Sequence, residues 1–168
     1  MTVTKPTLTQ SLNITTEETA MRAVVMRVKS ASVEIDGAIH GEIGNGFLVL
    51  LGVHASDAMP QAEKIADKIC GLRIFEDEAG KINLNPVAAN AANLLIISQF
   101  TLFADCHSRR PGFTEAARPE TAIPLYEAVI DLCRERGFHV ETGVFGAEMQ
   151  VRSQNDGPFT ILLDTKEL

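Results

Sequence analysis

The sequence predicts an α+β domain in which a curved, mostly antiparallel, barrel-like sheet carries two main helices. Three observations predict it. Short β-branched runs separated by hairpin turns fill residues 22 to 53, two later stretches switch to helical periodicity, and strand-like runs return after each of them.

The opening runs read RAVVMRV, ASVEI and FLVLLGV, punctuated by Asp36-Gly37 and Gly44-Asn45-Gly46. Such residues supply the positive φ that tight hairpins need, so the segment predicts an antiparallel meander. Between residues 60 and 72, Ala62, Ile65, Ala66 and Ile69 recur at helical spacing, while Lys64, Asp67 and Lys68 fall on other faces. That is an amphipathic helix. LRIF at 72 to 75 returns to strand character, and Glu78-Ala79-Gly80-Lys81 reads as a turn. NLLIISQFTLF at 93 to 103 predicts a buried strand. The second helix spans 119 to 136: Leu125, Val129, Ile130 and Cys133 line one face, Arg134 and Arg136 suit the C-terminal dipole, and Gly137 stops it. Strands near 138 to 145, at 147 to 153, and from Phe159 to Leu163 complete the order.

A chain of 168 residues fits one domain, expected from Met21 to Leu168. Residues 1–20 are expected to form a flexible extension, with an ordered extra strand as the other reading. They are rich in threonine, carry Lys5 as the sole basic residue, and lack the apolar core of a secretory signal or the arginines of a transit peptide. No apolar run approaches the roughly 20 residues needed to cross a bilayer, so no membrane partner is expected. Cys70, Cys106 and Cys133 are odd in number and far apart, which points to a reducing, cytoplasmic location and away from structural zinc. The net charge of −7 argues against a generic coat on nucleic-acid phosphates but leaves room for a basic strip gripping one RNA end.

None of the common catalytic templates occurs: there is no G-x-S-x-G, H-E-x-x-H, P-loop or G-x-G-x-x-G. Neither a metal nor a cofactor is expected. His40, His54, His107 and His139 are scattered, and isolated histidines usually serve as surface or satisfied residues. Three segments remain. Ser98-Gln99-Phe100-Thr101-Leu102 interrupts the buried run with polar groups; read as a strand, Gln99 and Thr101 share one face, and Ser98, Phe100 and Leu102 the other. Buried polar groups either bond to neighbouring loops or line a site, and spacing does not choose between them. Asn155-Asp156-Gly157-Pro158-Phe159-Thr160 sets Gly-Pro before a strand, and because proline cannot donate to a ladder the pair belongs at a strand's start or edge. Ser108-Arg109-Arg110-Pro111-Gly112-Phe113 is a basic loop suited to phosphates, or simply to solvent.

At SQFTL, residues 98 to 102, and the NxGPxT pattern, residues 155 to 160, the chain resembles the D-aminoacyl-tRNA deacylase family. MRAVVMRV at 21 to 28 is similar to the family's opening strand, and the RRPxF…AARP pattern at 109 to 119 to one of its loops. The resemblance covers nearly everything from Met21 onward. Met26 stands where the family often has glutamine, Gly112 where serine is common, and the leading 20 residues have no counterpart.

The resemblance implies the family's fold and a homodimer with each active site at the subunit interface. It implies a cis Gly157-Pro158 of one subunit facing Gln99 and Thr101 of the other, with main-chain carbonyls accepting from the substrate's α-ammonium group. Gln99 and Thr101 would be catalytic. Ser98, Phe100, Phe113 and Asn155 would line the substrate, and Arg27 would hold the motif's orientation. The implied reaction is hydrolysis of the ester at the 3′ end of D-aminoacyl-tRNA, and of glycine mischarged on tRNA-Ala, releasing amino acid and tRNA as chiral proofreading. Two mechanisms fit: participation of the tRNA's terminal 2′-hydroxyl with charge stabilised by backbone amides and Gln99, or a covalent Thr101 intermediate. A non-catalytic RNA-end or ligand-binding dimer on the same fold is the alternative class.

Overall fold

A computed structural model describes residues 20–168, in the order β1 (Arg22–Ile35), β2 (Ala38–Ile43), β3 (Gly46–Gly52), α1 (Met59–Gly71), β4 (Phe75–Glu76), β5 (Ile82–Leu84), β6 (Asn93–Ser98), α2 (Pro119–Glu135), β7 (His139–Thr142) and β8 (Gln150–Asp164). The extension expected over residues 1–20 lies outside the described residues except for Ala20. That residue is buried, and its N–H donates to the Asp57 carboxylate at 2.9 Å. Asp57 also accepts from the His54 N–H at 2.7 Å, and burial pushes its carboxyl above the usual range.

The predicted meander forms, with one change: RAVVMRV and ASVEI belong to a single long strand. Asp36 and Gly37 take φ of 51° and 79°, as the first hairpin turn requires. One edge of β1 pairs with β3 in its first half and with β2 in its second; β8 runs antiparallel along the other edge. From β3 the chain crosses through α1 to β6, then through α2 to β7, and these three strands are parallel. The sheet is therefore mixed, in the order β2-β1-β3-β6-β7 with β8 outside β1. A helical crossover is what allows neighbouring strands to run the same way.

Both faces of β3 and β6 are buried, which is why they read as unbroken apolar runs. Ala23, Val25, Phe47, Val49, Leu51, Leu94 and Ile96 meet Ile65, Ile69, Leu125 and Val129 of the two helices. Val28, Val33, Leu48, Leu95 and Ile97 fill the other, concave side. Each of the valine, leucine, isoleucine and phenylalanine side chains contributes roughly 1.5–3 kcal/mol relative to exposure. The curve nearly closes, because Gly41 of β2 comes so near β7 that an added Cβ would sit 3.2 Å from the Thr142 carbonyl oxygen.

The tightest approach is at Gly46, where a Cβ would lie 2.0 Å from the Asn93 carbonyl oxygen. Gly46→Ala must therefore push the start of β3 off the start of β6. We expect a stability loss of about 3 kcal/mol or more, since overfilling at backbone cannot be relieved by a rotamer change. Urea unfolding measures it, and a loss under about 0.5 kcal/mol would contradict this packing.

Three strand expectations need correction. LRIF at 72–75 is strand only at Phe75, the first residue of β4. The run 93–103 is strand only as far as Ser98, after which Phe100–Phe103 form a turn of 3-10 helix. The strands expected at 147–153 and 159–163 are one, β8, continuous through Gly157-Pro158.

Candidate active site

The departure from the strand at Gln99 has a local cause. Its N–H still closes the ladder on the Leu51 carbonyl at 2.8 Å, but its backbone turns to φ −141°, ψ 80°. The chain then folds over the end of β3, where Gly52 leaves room: a Cβ there would lie 3.1 Å from both Leu102 Cβ and the Phe103 ring. Gln99 and Thr101 thus do not share a strand face, as alternation suggested. They meet through the turn instead, Gln99 Nε2 donating to Thr101 Oγ1 at 2.5 Å. Ser98 is half-buried at the strand's end. Phe100 is 53% exposed, its ring edge-on to Phe113 at 5.1 Å. The first amides of such a turn, those of Phe100 and Thr101, have no acceptor within it, a pair of donors suited to a developing oxyanion.

Arg22 was not foreseen as part of this region. Its Nη1 donates to the Leu102 carbonyl at 3.0 Å, its Nε to Asp164 at 2.9 Å, and its guanidinium lies 4.8 Å from the Phe103 ring centre. It ties the turn to both β1 and β8. A basic residue opening the first strand and an acid closing the last was the available signal, legible only once their pairing is known.

The second motif is a bulge. Met26 pairs with Thr160 and Val28 with Asn155, so β1 passes one residue, Arg27, while β8 passes four. The Gly-Pro pair sits inside a strand rather than at its start, though on an edge strand as expected. Gly157 has φ 139°, and the Gly157-Pro158 peptide is cis. Asn155 closes the bulge from both sides: its Nδ2 donates to Thr160 Oγ1 at 2.8 Å, and its Oδ1 accepts from the Phe159 N–H at 2.7 Å. Thr160, not singled out from the sequence, is half of that closure. Arg27 fills the bulge's floor. It is buried, donates to the Asp156 carbonyl at 3.1 Å and the Ile74 carbonyl at 2.6 Å, lies 4.8 Å from the Phe159 ring centre, and pairs with the Asp156 carboxylate at 3.5 Å. Arg27 thus holds Asp156 and Phe159 on either side of Gly157-Pro158.

Each motif is built, but one chain does not bring them together. Ser98 pairs with Leu51, Leu51 with Ala23 and Ala23 with Leu163, whereas the bulge faces Arg27, across from Phe47 and Leu94. Three strand spacings of ~4.8 Å and four residues of ~3.3 Å along the strands set them ~14 Å apart in one direction and ~13 Å in the other. Gly157 and Pro158 are exposed.

The Thr101 hydroxyl's partner is an amide donor, which cannot take a proton. Among the described residues no group of three or more His, Cys, Asp or Glu side chains is placed to hold a metal ion. None of the described helices is long and apolar enough to cross a membrane.

A family model described as D-Tyr-tRNA(Tyr) deacylase matches residues 24–164. A D-aminoacyl-tRNA deacylase of Anaeromyxobacter dehalogenans (strain 2CP-C) is 56% identical over 149 residues, 88% of this chain and 99% of that one. A D-aminoacyl-tRNA deacylase of Thermus aquaticus is 51% identical over 148 residues, 88% of this chain and 97% of its own length. Among solved structures, the c-Myc DNA Unwinding Element Binding Protein superposes with a TM-score of 0.79 at 38% identity, covering 84% of this chain and 97% of that one. A probable eukaryotic D-amino acid tRNA deacylase superposes with a TM-score of 0.75 at 16% identity, over 86% of this chain and 99% of that one, a likeness of fold.

Proposed function

Because the chain belongs to the D-aminoacyl-tRNA deacylase family, we propose that its active site is completed across two subunits, Gly157 and Pro158 of one facing Gln99 and Thr101 of the other. The activity is hydrolysis of the ester joining a D-amino acid to tRNA, which releases free amino acid and tRNA and so proofreads handedness before translation. Family membership sets aside the alternative of a binding protein without chemistry.

The observation that carries the two-subunit reading is the separation just described, of two organised motifs on different parts of one sheet. An apolar stripe supports it. Leu162 is 66% exposed on β8, and its neighbours Val24 and Leu50 are half-buried beside it. Sedimentation should give twice the chain mass. Leu162→Arg places a charge on that stripe and should yield a folded monomer with deacylation lowered at least about tenfold, by loss of an apolar contact and burial of an unpaired charge. A stable monomer with full activity would remove the shared site.

In this reading the 3′ end of the aminoacyl-tRNA lies between the subunits. Main-chain carbonyls about Gly157-Pro158 accept from the α-ammonium group, and the ester carbonyl points at the amides of Phe100 and Thr101 and at Gln99. Phe100 and Phe113 give an apolar wall, and Ser98 closes the strand behind it. The tRNA's terminal 2′-hydroxyl takes part in the hydrolysis, and Thr101 stays a hydrogen-bonding partner of Gln99. Glycine on tRNA-Ala is accepted along with D-amino acids. The free thiols of Cys70, Cys106 and Cys133 suit the cytosol, where the substrate is made. Purified protein incubated with D-Tyr-tRNA tests the activity: release of D-tyrosine is expected, and protection of the ester would defeat it.

A further inference from the structure

Directly after the SQFTL turn the chain makes a small hairpin whose ends are locked and whose tip is positive. Asp105 and Gly112 exchange both backbone hydrogen bonds, at 2.8 and 2.9 Å. Inside, the His107 N–H and ring bond to the Asp105 carboxylate, which these bonds hold below the usual range, and Ser108 Oγ donates to the Arg110 carbonyl at 2.6 Å. Pro111 fixes the backbone on the return side. The tip, 106–112, contains two arginines and no acid, and both Arg109 and Arg110 are exposed.

The hairpin is also anchored to the site. Phe113, one residue beyond it, packs on Phe100. Arg110 Cα therefore lies at most ~11 Å from Phe113 Cα, three residues of extended chain, and an arginine side chain adds further reach. In a chain of net charge −7, two adjacent exposed arginines with no ion-pair partner among the described residues, held this close to Phe113, need an explanation. Guanidinium forks match phosphate oxygens, and a preformed loop loses little entropy on binding them.

We propose that Arg109 and Arg110 bind the backbone phosphates just 5′ of the terminal nucleotide of the bound tRNA. This rests on the deacylase reading and adds to it a place for the RNA strand. Contacts to phosphate position the strand without reading its sequence, so the hairpin serves any tRNA alike. The chemistry at the ester does not depend on it.

The test compares two substrates, D-Tyr-tRNA and 3′-D-tyrosyl-adenosine, which keeps the ester and both ribose oxygens but has no phosphate. For the R109A/R110A variant, kcat/KM on the tRNA should fall about tenfold or more at low salt and become less steeply salt-dependent. Two lost contacts correspond to a slope change of about 1.4 in log–log form, at ~0.7 per phosphate on a single strand. Turnover of the adenosine ester should be unchanged, and R109K/R110K should keep most of the salt slope. An equal loss on both substrates, or no loss on tRNA, would overturn the proposal while leaving deacylation intact. Binding of uncharged tRNA, measured over the same salt series, decides the arginines' role even if wild-type protein were to hydrolyse neither ester, the outcome that would instead remove the deacylase reading.

Discussion

D-Tyr-tRNA, D-Asp-tRNA and Gly-tRNA should all be deacylated at comparable rates, with L-Tyr-tRNA slower by about a thousandfold, roughly 4 kcal/mol of transition-state discrimination. The expectation comes from what the bulge presents to a ligand. Gly157 has no side chain and Pro158 cannot donate, so the proposed wall is main chain, stiffened by Arg27 and Asn155 from behind. With the α-ammonium held by that wall and the ester aimed at Phe100 and Thr101, an L side chain is driven into backbone, while a D side chain points away. Rejection then comes from a clash and needs no pocket shaped to one amino acid. Glycine carries nothing to clash. The wall itself is a poor target for mutation, since a Cβ at Gly157 would meet the Phe159 nitrogen at 3.1 Å at a φ that L residues rarely adopt, so the substrate is varied instead. The four rates measured under identical conditions decide the matter: appreciable release of L-tyrosine, or full resistance of Gly-tRNA, would show a side-chain pocket at work.

Replacing the terminal ribose by its 2′-deoxy form should cost about two to three orders of magnitude in rate, whereas Thr101→Ala should retain activity within about tenfold. A threonine nucleophile needs an adjacent base. The Thr101 hydroxyl instead accepts from Gln99 Nε2, a nitrogen that cannot take its proton. A hydroxyl carried by the substrate, next to the ester and facing backbone amides, needs no such partner in the protein. Removing Thr101 frees Gln99 to reorient, a modest loss of hydrogen bonding of about 1 kcal/mol. Single-turnover rates on the two RNAs and the two proteins separate the possibilities. An acyl group trapped on Thr101 would reverse the assignment.

Much of this architecture was legible because local and tertiary preferences agree. Ala62, Ile65, Ala66 and Ile69 do face the core from α1, as do Leu125, Val129, Ile130 and Cys133 from α2, and Asp36-Gly37 does turn a hairpin. The 3-10 turn at Phe100–Phe103 was not legible, because phenylalanine and threonine favour strands and the space for the turn is made by Gly52, on another strand. Nor was the continuity of β8. A Gly-Pro pair ordinarily ends a strand, and here the strand resumes because Asn155 and Thr160 close the bulge over Arg27, 128 to 133 positions earlier in the chain. The motif residues Gln99, Thr101, Asn155, Gly157 and Pro158 could be picked out as unusual, but their separation on one sheet follows from the parallel order β3-β6 and the β1-β8 pairing, which periodicity does not encode.

The pairing of β1 with β8 also sets a timetable. Arg22 and Asp164 are 142 residues apart, so at ~5–20 residues per second the ribosome needs roughly 7 to 30 s to supply the strand that covers the outer edge of the first one. The hairpin to β2 and β3 can form within that interval, leaving a 14-residue strand with one open edge. Such an edge is a template for another chain's backbone. Completion of the sheet therefore waits for β8, and slower elongation or a higher density of nascent chains lengthens the exposure during which this edge can pair with a neighbour instead of with β8.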